Sequence, residues 1–377
     1  MRDENENRLN AGQLLHLLTS AVEESQKQCQ SISPGLLTSD DRVHWFEGYK
    51  SLKAAHPEEV ESIETASFVL CLDGSDRAED LLTSTALHSL HGGGSGMNGG
   101  NRWFDKALQF IIAKSGQVAI CNEHSFAEAV PTMNMADFLI DYLSDPNLSL
   151  DSQSQLCPIR PRLLTFERWD PATTGPAADR LDALVSDLDM KVLDFSTFGK
   201  EAVKGLKLSP DSFIQMAIQL TFHQLHRVPA ATYESAATRI FHEGRTEVIR
   251  SCSNESMAFV QQMQDVSQSL GHKKESLLKA MKAHNSYARL AVQGRGVDRH
   301  LQGLRKAASE MGYQLPELYN DPGYTRSSKM RLSTSQVKTK KETFLNKRIN
   351  QDLIVVYEVI NHICFTVTRK NMNLAVY

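Results

Sequence analysis

The 377-residue chain lacks several features that would place it in a specialised class. None of its six cysteines belongs to a Cys-x-x-Cys pair, which argues against a zinc site or a disulfide framework and favours reduced intracellular thiols. Its longest apolar runs, such as Ser67 to Leu72, are far shorter than the ~20 residues of a membrane-spanning helix. The polar, acidic amino terminus has no secretory signal pattern. We therefore expect a soluble intracellular protein without a bound metal.

The chain also lacks a large excess of either positive or negative charge. The formal net charge is −4 and charged residues make up 23% of the chain, which gives no electrostatic indication of a nucleic-acid partner. The chain is longer than the usual limit for a single core, so two domains are predicted. A segment rich in Ser, Asp and Pro from Ser144 to Arg162 suggests the boundary, and we expect domains at residues 1–160 and 161–377.

Helical and strand patterns are mixed on both sides of that boundary, which predicts an α/β fold with mixed sheets and flanking helices. We expect a strand at Ser67 to Leu72, then a hairpin from Trp103 to Cys121. Ser209 is expected to cap a helix from Pro210 to Arg227 that is buried all round. The other predicted helices include Val43 to Ala55, Met135 to Leu143, Ala177 to Leu188, Glu255 to Val266 and Lys273 to Val292, and the other predicted strands are Met190 to Phe195, Leu353 to Val359 and Ile363 to Thr368.

The most informative stretch places His124 just after the second hairpin strand, with Glu128 four residues later. A neutral imidazole accepts a proton near pH 7, and it works best when a fixed partner such as a carboxylate orients the ring. The pair is thus a candidate oriented base. The same His and Glu spacing is also common without any catalytic role, and the spacing alone leaves both interpretations open.

Two other histidine patterns have weaker chemical support. The segment His91 to Gly94 resembles the oxyanion loop of esterases, but no Gly-x-Ser-x-Gly nucleophile elbow accompanies it, since Met97 follows Ser95 where a glycine is required. His223 and His226 are spaced to share a metal, yet no carboxylate or cysteine joins them at a recognisable spacing. A packing or surface role is favoured for that pair.

Three polar segments contain residues that are suited to binding, but each segment also has an ordinary structural explanation. Lys200, Lys204 and Lys207 precede the helix capped by Ser209, and they either bind phosphates or form a solvated basic turn. The hydroxyls of residues 333–335 either stabilise an oxyanion or form a Ser-rich turn. Arg299 either binds a carboxylate or pairs with a helical neighbour.

Taken in order, these segments resemble the carnitine/choline acyltransferase family, most closely its carnitine acetyltransferase branch. Several long motifs occur in the family's order over roughly residues 10–336. The matching segments are Asn101 to Lys106, Glu123-His124 with Glu128, Lys207 to Met216, Ala231 to Ala236, Gly244 to Thr246, Ile249 to Ser251, Asp298 to Leu301 and Leu332 to Gln336.

The resemblance implies two chloramphenicol-acetyltransferase-like domains with His124 in a tunnel at their interface. It implies reversible transfer of an acetyl or other short acyl group between coenzyme A and the hydroxyl of carnitine. Coenzyme A would be a co-substrate, with no permanently bound cofactor and no metal. His124 would be the general base, Glu128 would hold its ring, and Ser335 would donate to the tetrahedral oxyanion.

The resemblance also assigns the binding residues. Those that would face coenzyme A are Lys200, Lys204, Asp211 and Gln336, and those that would bind the carnitine carboxylate are Tyr233, Thr246, Arg299 and Ser333. Arg299 favours carnitine over choline, because choline acetyltransferases have asparagine there. The family further implies a mitochondrial or peroxisomal location, although no targeting signal is visible, and we expect a monomer.

Both ends depart from the family pattern. The resemblance begins partway into the family's amino-terminal portion, so we expect an incomplete fold. After Gln336 the sequence diverges where the family lines its acyl pocket, which leaves acyl-chain length open. The alternative function is therefore a catalytically inactive fragment or paralogue that binds coenzyme A or a partner protein.

Overall fold

A computed structural model describes residues 1, 5–27, 33–74, 81–145, 147–148, 156–168, 170–195, 197–335, 363–369 and 372–376. These residues belong to two compact units, one up to Ser186 and one from Asp187 onward. The domain boundary at residues 160 and 161 stays a prediction, because a compact unit is not by itself an independently folding domain. The described part of the chain contains no helix that is long and apolar enough to cross a membrane.

The elements confirm the mixed α/β class. The helices are α1 Ala11–Gln26, α2 Arg42–Ala55, α3 Pro57–Thr65, α4 Leu81–His91, α5 Ala129–Leu143, α6 Gly175–Asp187, α7 Lys200–Gly205, α8 Pro210–His226, α9 Asn254–Gln264, α10 Leu270–Val292, α11 Asp298–Glu310 and α12 Pro322–Ser328. The strands are β1 Val69–Asp73, β2 Leu108–Ala113, β3 Val118–Asn122, β4 Leu188–Asp194, β5 Thr232–Ala237, β6 Thr246–Ile249, β7 Leu332–Thr334, β8 Ile363–Arg369 and β9 Met372–Val376.

The first unit contains a three-stranded sheet in the order β1-β2-β3. β1 lies parallel to β2, and β2 pairs antiparallel with β3. Cys71, Ile111 and Ala119 form a buried cluster on one face of this sheet. The predicted hairpin is confirmed, although β2 begins at Leu108 rather than near Trp103. His124 comes two residues after β3 and is therefore carried by the end of the hairpin.

A buried ion pair connects the end of β1 to the segment before β2. The guanidinium of Arg102 donates to both carboxylate oxygens of Asp73, each at 2.8 Å, and both side chains are completely buried. Asn101 and His88 also bind this carboxylate. Burial disfavours the charged form of Asp73, but the hydrogen bonds from Arg102 and His88 outweigh it and hold the pKa of Asp73 well below its usual range.

The second unit contains a six-stranded mixed sheet in the order β4-β8-β9-β7-β5-β6. β5 pairs antiparallel with β6 and parallel with β7, and Tyr233 lies opposite Ser333 in that register. α8, α9 and α10 pack together through a core cluster that includes Met216, Val260 and Met281. β8 confirms the predicted strand at Ile363 to Thr368. The predicted strand at Leu353 to Val359 lies outside the described residues.

α8 follows its predicted bounds, but the prediction that it is buried all round is wrong. Leu225 is 73% exposed, and the buried side includes the polar residues Ser212, Gln215 and Gln219. The amides of Gln215 and Gln219 donate to threonine hydroxyls, at 3.2 Å to Thr334 and 2.8 Å to Thr232. Polar groups are tolerated inside because each is hydrogen-bonded, the two glutamines to the sheet and Ser212 to residues of α10.

Other helix boundaries also differ from expectation. α5 begins at Ala129, so Pro131 lies in its first turn, where a missing N–H costs nothing because first-turn N–H groups have no intrahelical acceptor. The helices α3, α4, α7, α11 and α12 and the strands β5, β6, β7 and β9 were not predicted. α11 has a short, strongly polar sequence with no buried residue, so little hydrophobic signal marks it.

The buried pair in the first unit can be tested by replacing Arg102 with methionine. This change leaves Asp73 without its main counter-charge, and loss of one partner of a buried ion pair costs about 3–5 kcal/mol. All three tryptophans, Trp45, Trp103 and Trp169, precede Asp187, so tryptophan fluorescence reports on the first unit. Urea denaturation should show a free energy of unfolding that is lower by this amount for Arg102→Met. The exposed control Lys114→Met should change little, and equal stability of the two variants would contradict the assignment.

Candidate active site

His124 lies in an exposed turn between β3 and α5. Its side chain is 71% exposed, and its Nε2 lies 3.8 Å from the nearer carboxylate oxygen of Glu128. Glu128 is the residue that precedes α5 and has a side chain only 22% exposed. The distance permits electrostatic attraction but exceeds a hydrogen bond, so the carboxylate can stabilise an imidazolium without clamping the neutral ring.

Glu123 organises the turn that carries His124. Its carboxylate accepts the backbone N–H of Ser125 at 3.0 Å and that of Phe126 at 3.2 Å, and it also accepts the Ser125 hydroxyl. Burial opposes ionisation, but these hydrogen bonds prevail and lower the pKa of Glu123. No local signal in the sequence marks this role of Glu123, because Asp and Asn rather than Glu are the acidic and amide residues that usually bond to the backbone of such turns.

The glycine-rich loop is not shaped as an oxyanion hole. The N–H of Gly93 donates to Nδ1 of His91 at 3.0 Å, and the N–H of Gly94 donates to the His91 carbonyl at 3.2 Å. The N–H of Ser95 donates to Asp182 at 2.7 Å. Gly92, Gly93 and Gly94 all have positive φ, which explains the glycines without any ligand. These N–H groups stabilise the loop itself and do not point to a substrate.

In the second unit, the four residues that the sequence assigned to carnitine lie close together. The hydroxyl of Tyr233 donates to Oγ1 of Thr246 at 3.5 Å, and Nη2 of Arg299 donates to the same oxygen at 3.3 Å. Ser333 is the register partner of Tyr233 on the neighbouring strand. We call Tyr233, Thr246, Arg299 and Ser333 the donor cluster. It combines one guanidinium with three hydroxyls, which is a donor set suited to a carboxylate.

Arg299 is positioned by backbone and side-chain contacts around the start of α11. Its Nε donates to the carbonyl of Thr246 at 3.1 Å, and its own N–H donates to Glu247 at 3.4 Å. The preceding residue, Asp298, forms a two-point ion pair with Arg250, at 2.7 and 3.0 Å. α11 therefore begins at a fixed place beside β6, and this place determines where the guanidinium lies.

Ser335 follows β7, and its hydroxyl lies 3.3 Å from that of Ser235 on β5. Either hydroxyl can donate in this contact. Ser235 was not singled out in the sequence, although it lies within the Ala231 to Ala236 motif. Two adjacent hydroxyls can donate to one oxygen, so Ser235 joins Ser335 as a candidate for stabilising an oxyanion.

Between Tyr233 and Ser235, the side chain of Glu234 points into the interior and is buried. Its carboxylate accepts the Ser251 hydroxyl at 2.5 Å and lies 2.7 Å from Nε2 of His284 on α10. Nδ1 of His284 lies 2.8 Å from the hydroxyl of Ser212. That hydroxyl donates to Asn285, so Nδ1 must be the donor to Ser212. Both ring nitrogens of His284 thus donate, as in an imidazolium.

The direction of the pKa shift of His284 agrees with this arrangement. Burial disfavours the imidazolium, but the hydrogen bond and negative charge of Glu234 outweigh burial and raise the pKa of His284. Asp211 places a carboxylate oxygen within 4.8 Å of the ligand atoms of Glu234 and His284. This geometry alone could hold a metal, but both nitrogens of His284 are already engaged. The group is better explained as a buried charge network.

The described residues assigned to coenzyme A lie on two helices of the second unit. Lys200 and Lys204 lie on α7, where Lys204 pairs with Glu201 at 2.6 Å. Asp211 is in the first turn of α8, which Ser209 caps as predicted. Gln336 lies outside the described residues. The roles of these four residues in binding coenzyme A stay predictions.

The histidine pair on α8 has a structural explanation. Nδ1 of His223 lies 2.9 Å from the side-chain amide of Gln264, and the ring of His226 packs on Phe222 with 4.4 Å between ring centres. The packing role favoured in the sequence is thus supported by the contacts of both rings.

The model of the family described as Choline/Carnitine o-acyltransferase matches residues 1–373 of this chain. The chain belongs to that family. This confirms the resemblance carried by the ordered motifs, and it places the donor cluster and the His124 turn in a family whose name specifies acyl transfer.

Known family members show how far the similarity extends. Carnitine O-acetyltransferase of Homo sapiens is 41% identical over 314 residues, which are 81% of this chain and 50% of that protein. Carnitine O-acetyltransferase of Mus musculus is 38% identical over 348 residues, covering 89% and 55%. Choline O-acetyltransferase of Rattus norvegicus is 37% identical over 349 residues, covering 89% and 54%. The chain spans about half the length of these relatives.

The charge network gives a pH-dependent prediction. Because the folded-state pKa of His284 is raised, its stabilising effect is complete below the ordinary histidine pKa of about 6.5 and is lost as pH rises through the folded-state value. His284→Gln removes the cation opposite buried Glu234 and should cost about 3 kcal/mol near pH 6. The free energy of unfolding can be measured by urea denaturation followed by far-ultraviolet circular dichroism. Its difference between the variant and the unmodified chain should become smaller toward alkaline pH. The exposed control His242→Gln should show no such trend, and a difference independent of pH would contradict the imidazolium.

Proposed function

We propose that this family member transfers an acyl group between coenzyme A and the hydroxyl of carnitine. The observation that carries the proposal is the donor cluster, in which Arg299 and Tyr233 both contact Oγ1 of Thr246. A guanidinium beside several hydroxyls binds a carboxylate well. Carnitine has a carboxylate near its reactive hydroxyl, and choline has none.

Sequence identity alone does not choose between the two acceptors. The carnitine acetyltransferase of Homo sapiens and the choline acetyltransferase of Rattus norvegicus are 41% and 37% identical to the chain. The choice therefore depends on the cluster. The Arg299 side chain is exposed and donates through Nη1 to Gln302 at 3.1 Å, and a carnitine carboxylate would add a charge-assisted hydrogen bond that choline cannot make.

His124 is proposed as the base. It would take the proton of the carnitine hydroxyl, and the resulting alkoxide would attack the thioester carbonyl of acyl-coenzyme A. Glu128 would stabilise the imidazolium that forms. Collapse of the tetrahedral intermediate would then release the coenzyme A thiolate, which recovers the proton from His124. The acyl group, the proton and the electron pairs are all accounted for, and the reverse reaction follows the same steps.

The hydroxyls of Ser335 and Ser235 are proposed to donate to the oxyanion of the tetrahedral intermediate. Their 3.3 Å separation would let both reach one oxygen. Lys200 and Lys204 would attract the coenzyme A phosphates, with Asp211 and Gln336 contacting other parts of the cofactor. An acetyl or other short acyl group is proposed on the basis of the carnitine and choline acetyltransferases to which the chain is similar.

Replacing His124 with alanine tests the base. Loss of a general base lowers turnover by about 10²–10⁴-fold, so thiol release from acetyl-coenzyme A in the presence of carnitine should fall by that factor. Coenzyme A binding, measured by calorimetry, should be retained. The exposed His272→Ala serves as the matched control and should keep full turnover.

The same experiment separates the proposed enzyme from a silent binding protein. Binding of coenzyme A without turnover by the unmodified chain would support the alternative of an inactive family member. Turnover that survives His124→Ala would instead show that another group acts as the base.

Replacing Arg299 with asparagine tests the acceptor. The loss of the guanidinium removes a charge-assisted contact, so the KM for carnitine should rise by at least about tenfold while the KM for acetyl-coenzyme A changes little. Arg305→Asn, on the same helix but outside the donor cluster, is the matched control. Unchanged carnitine kinetics in Arg299→Asn would rule out this role for the residue, whatever the activity of the chain.

A further inference from the structure

A separate cleft in the second unit has an unusual charge. Its volume is about 420 Å³, and it lies between the segment after α8, the start of β5 and the residues around α12. Four cationic residues line it, namely Arg250, Arg326, Lys329 and Arg331, and none of its lining residues is a carboxylate. Three of these cations, Arg326, Lys329 and Arg331, are exposed, so an anion that enters the cleft would be attracted by their combined positive charge.

The contacts of these cations show how little counter-charge the described residues provide. Arg250 pairs with Asp298 and donates through Nη1 to the carbonyl of Ser327 at 2.8 Å. The guanidinium of Arg331 lies over the ring of Phe222, 5.2 Å from its centre, a contact that leaves its charge in place. The side chains of Arg326 and Lys329 make no hydrogen bond or ion pair with any described residue.

The neighbouring carboxylates of Asp298 and Asp321 already have an ion-pair partner or hydrogen-bond donors. Asp298 is balanced by Arg250. Asp321 caps α12, accepting the N–H groups of Gly323 at 2.7 Å and Tyr324 at 3.1 Å. The cleft therefore has at least two cationic side chains, Arg326 and Lys329, with no acidic partner in the described part of the chain. Guanidinium and ammonium groups that line one cleft can supply several N–H donors to the acceptor oxygens of a phosphate.

We propose that this cleft binds a small phosphate-bearing molecule, with Arg326 and Lys329 as its principal contacts. Its volume is within the usual range for small-molecule sites, about 300–1,000 Å³. The phosphate would lie among the cations, where Arg250 also has N–H groups left to donate. Val228, Pro229 and Ala231 form an apolar wall that suits a short carbon skeleton attached to the phosphate.

The cleft differs from the region proposed for coenzyme A. Lys204 and Asp211 lie just before and at the start of α8, whereas Val228 follows its end. α8 has 17 residues, which at 1.5 Å per residue separates its two ends by about 25 Å. The proposal concerns a second site and does not depend on whether the chain transfers acyl groups.

Calorimetric titration of the full chain with inorganic phosphate and with ribose 5-phosphate, at constant ionic strength, tests this site. We expect saturable binding of both probes at millimolar concentrations or below. Arg326→Gln combined with Lys329→Gln should weaken the affinity by at least about tenfold, and these side chains are exposed, so the fold should be retained. Arg305→Gln combined with Lys306→Gln removes the same charge outside the cleft and should change the affinity less than about twofold.

A third double variant distinguishes the two anion sites. Lys200→Gln combined with Lys204→Gln should keep the phosphate affinity if the cleft is the site. Absence of saturable binding by the unmodified chain, an equal loss in the Arg326/Lys329 and Arg305/Lys306 variants, or abolition of binding by the Lys200/Lys204 variant would each overturn the proposal.

Discussion

The buried carboxylate of Glu234 is the constraint on which the candidate site in the second unit depends. Along β5, Tyr233 and Ser235 face the candidate site, while Glu234 between them faces the interior. A buried carboxylate is costly unless a cation and hydrogen bonds satisfy it, and His284 and Ser251 do so at 2.7 and 2.5 Å. A one-residue slip of β5 would bury Tyr233 and Ser235 and expose Glu234. The charge network therefore helps to fix the register that presents Tyr233 to Thr246 and Ser235 to Ser335.

The first unit also contains a buried ion pair, which orders a different part of the backbone. Asp73 and Arg102 are completely buried, and their ion pair ties the end of β1 to the segment that leads into β2. β2 and β3 form the hairpin that ends just before His124. The register pairs Asp73 with Ala113 at the end of β2, whereas Asn122, two residues before His124, pairs with Leu108 at its start. The ion pair of the first unit therefore orders backbone at the other end of the sheet from His124, while Glu234 of the second unit lies between Tyr233 and Ser235.

The sequence predicted most local elements because caps and apolar periodicity are local signals. Ser209 caps α8, and the hairpin before His124 forms as expected. The family resemblance assigned the four residues of the donor cluster, which lie close together in the structure, and their role in binding stays a proposal. The sequence could not predict the polar interior of α8 or the contact between Glu234 and His284, because those contacts join residues distant along the chain. Ser235 was overlooked because it becomes notable only when paired with Ser335 across two strands.

The proposed recognition of a carboxylate by the donor cluster depends on orientation as well as charge. Arg299 uses Nε to bind the carbonyl of Thr246 and Nη2 to reach the Thr246 hydroxyl, at 3.1 and 3.3 Å. Nη1 also donates to Gln302 at 3.1 Å, so three bonds fix the plane of the guanidinium and leave one N–H on each of Nη1 and Nη2 for a further acceptor. A lysine could carry the same charge but could not be held at two points and still donate in a planar fork. The carbonyl of Thr246 at the start of β6 therefore helps to hold the guanidinium in place, and the proposed selectivity for a carboxylate depends partly on this backbone contact.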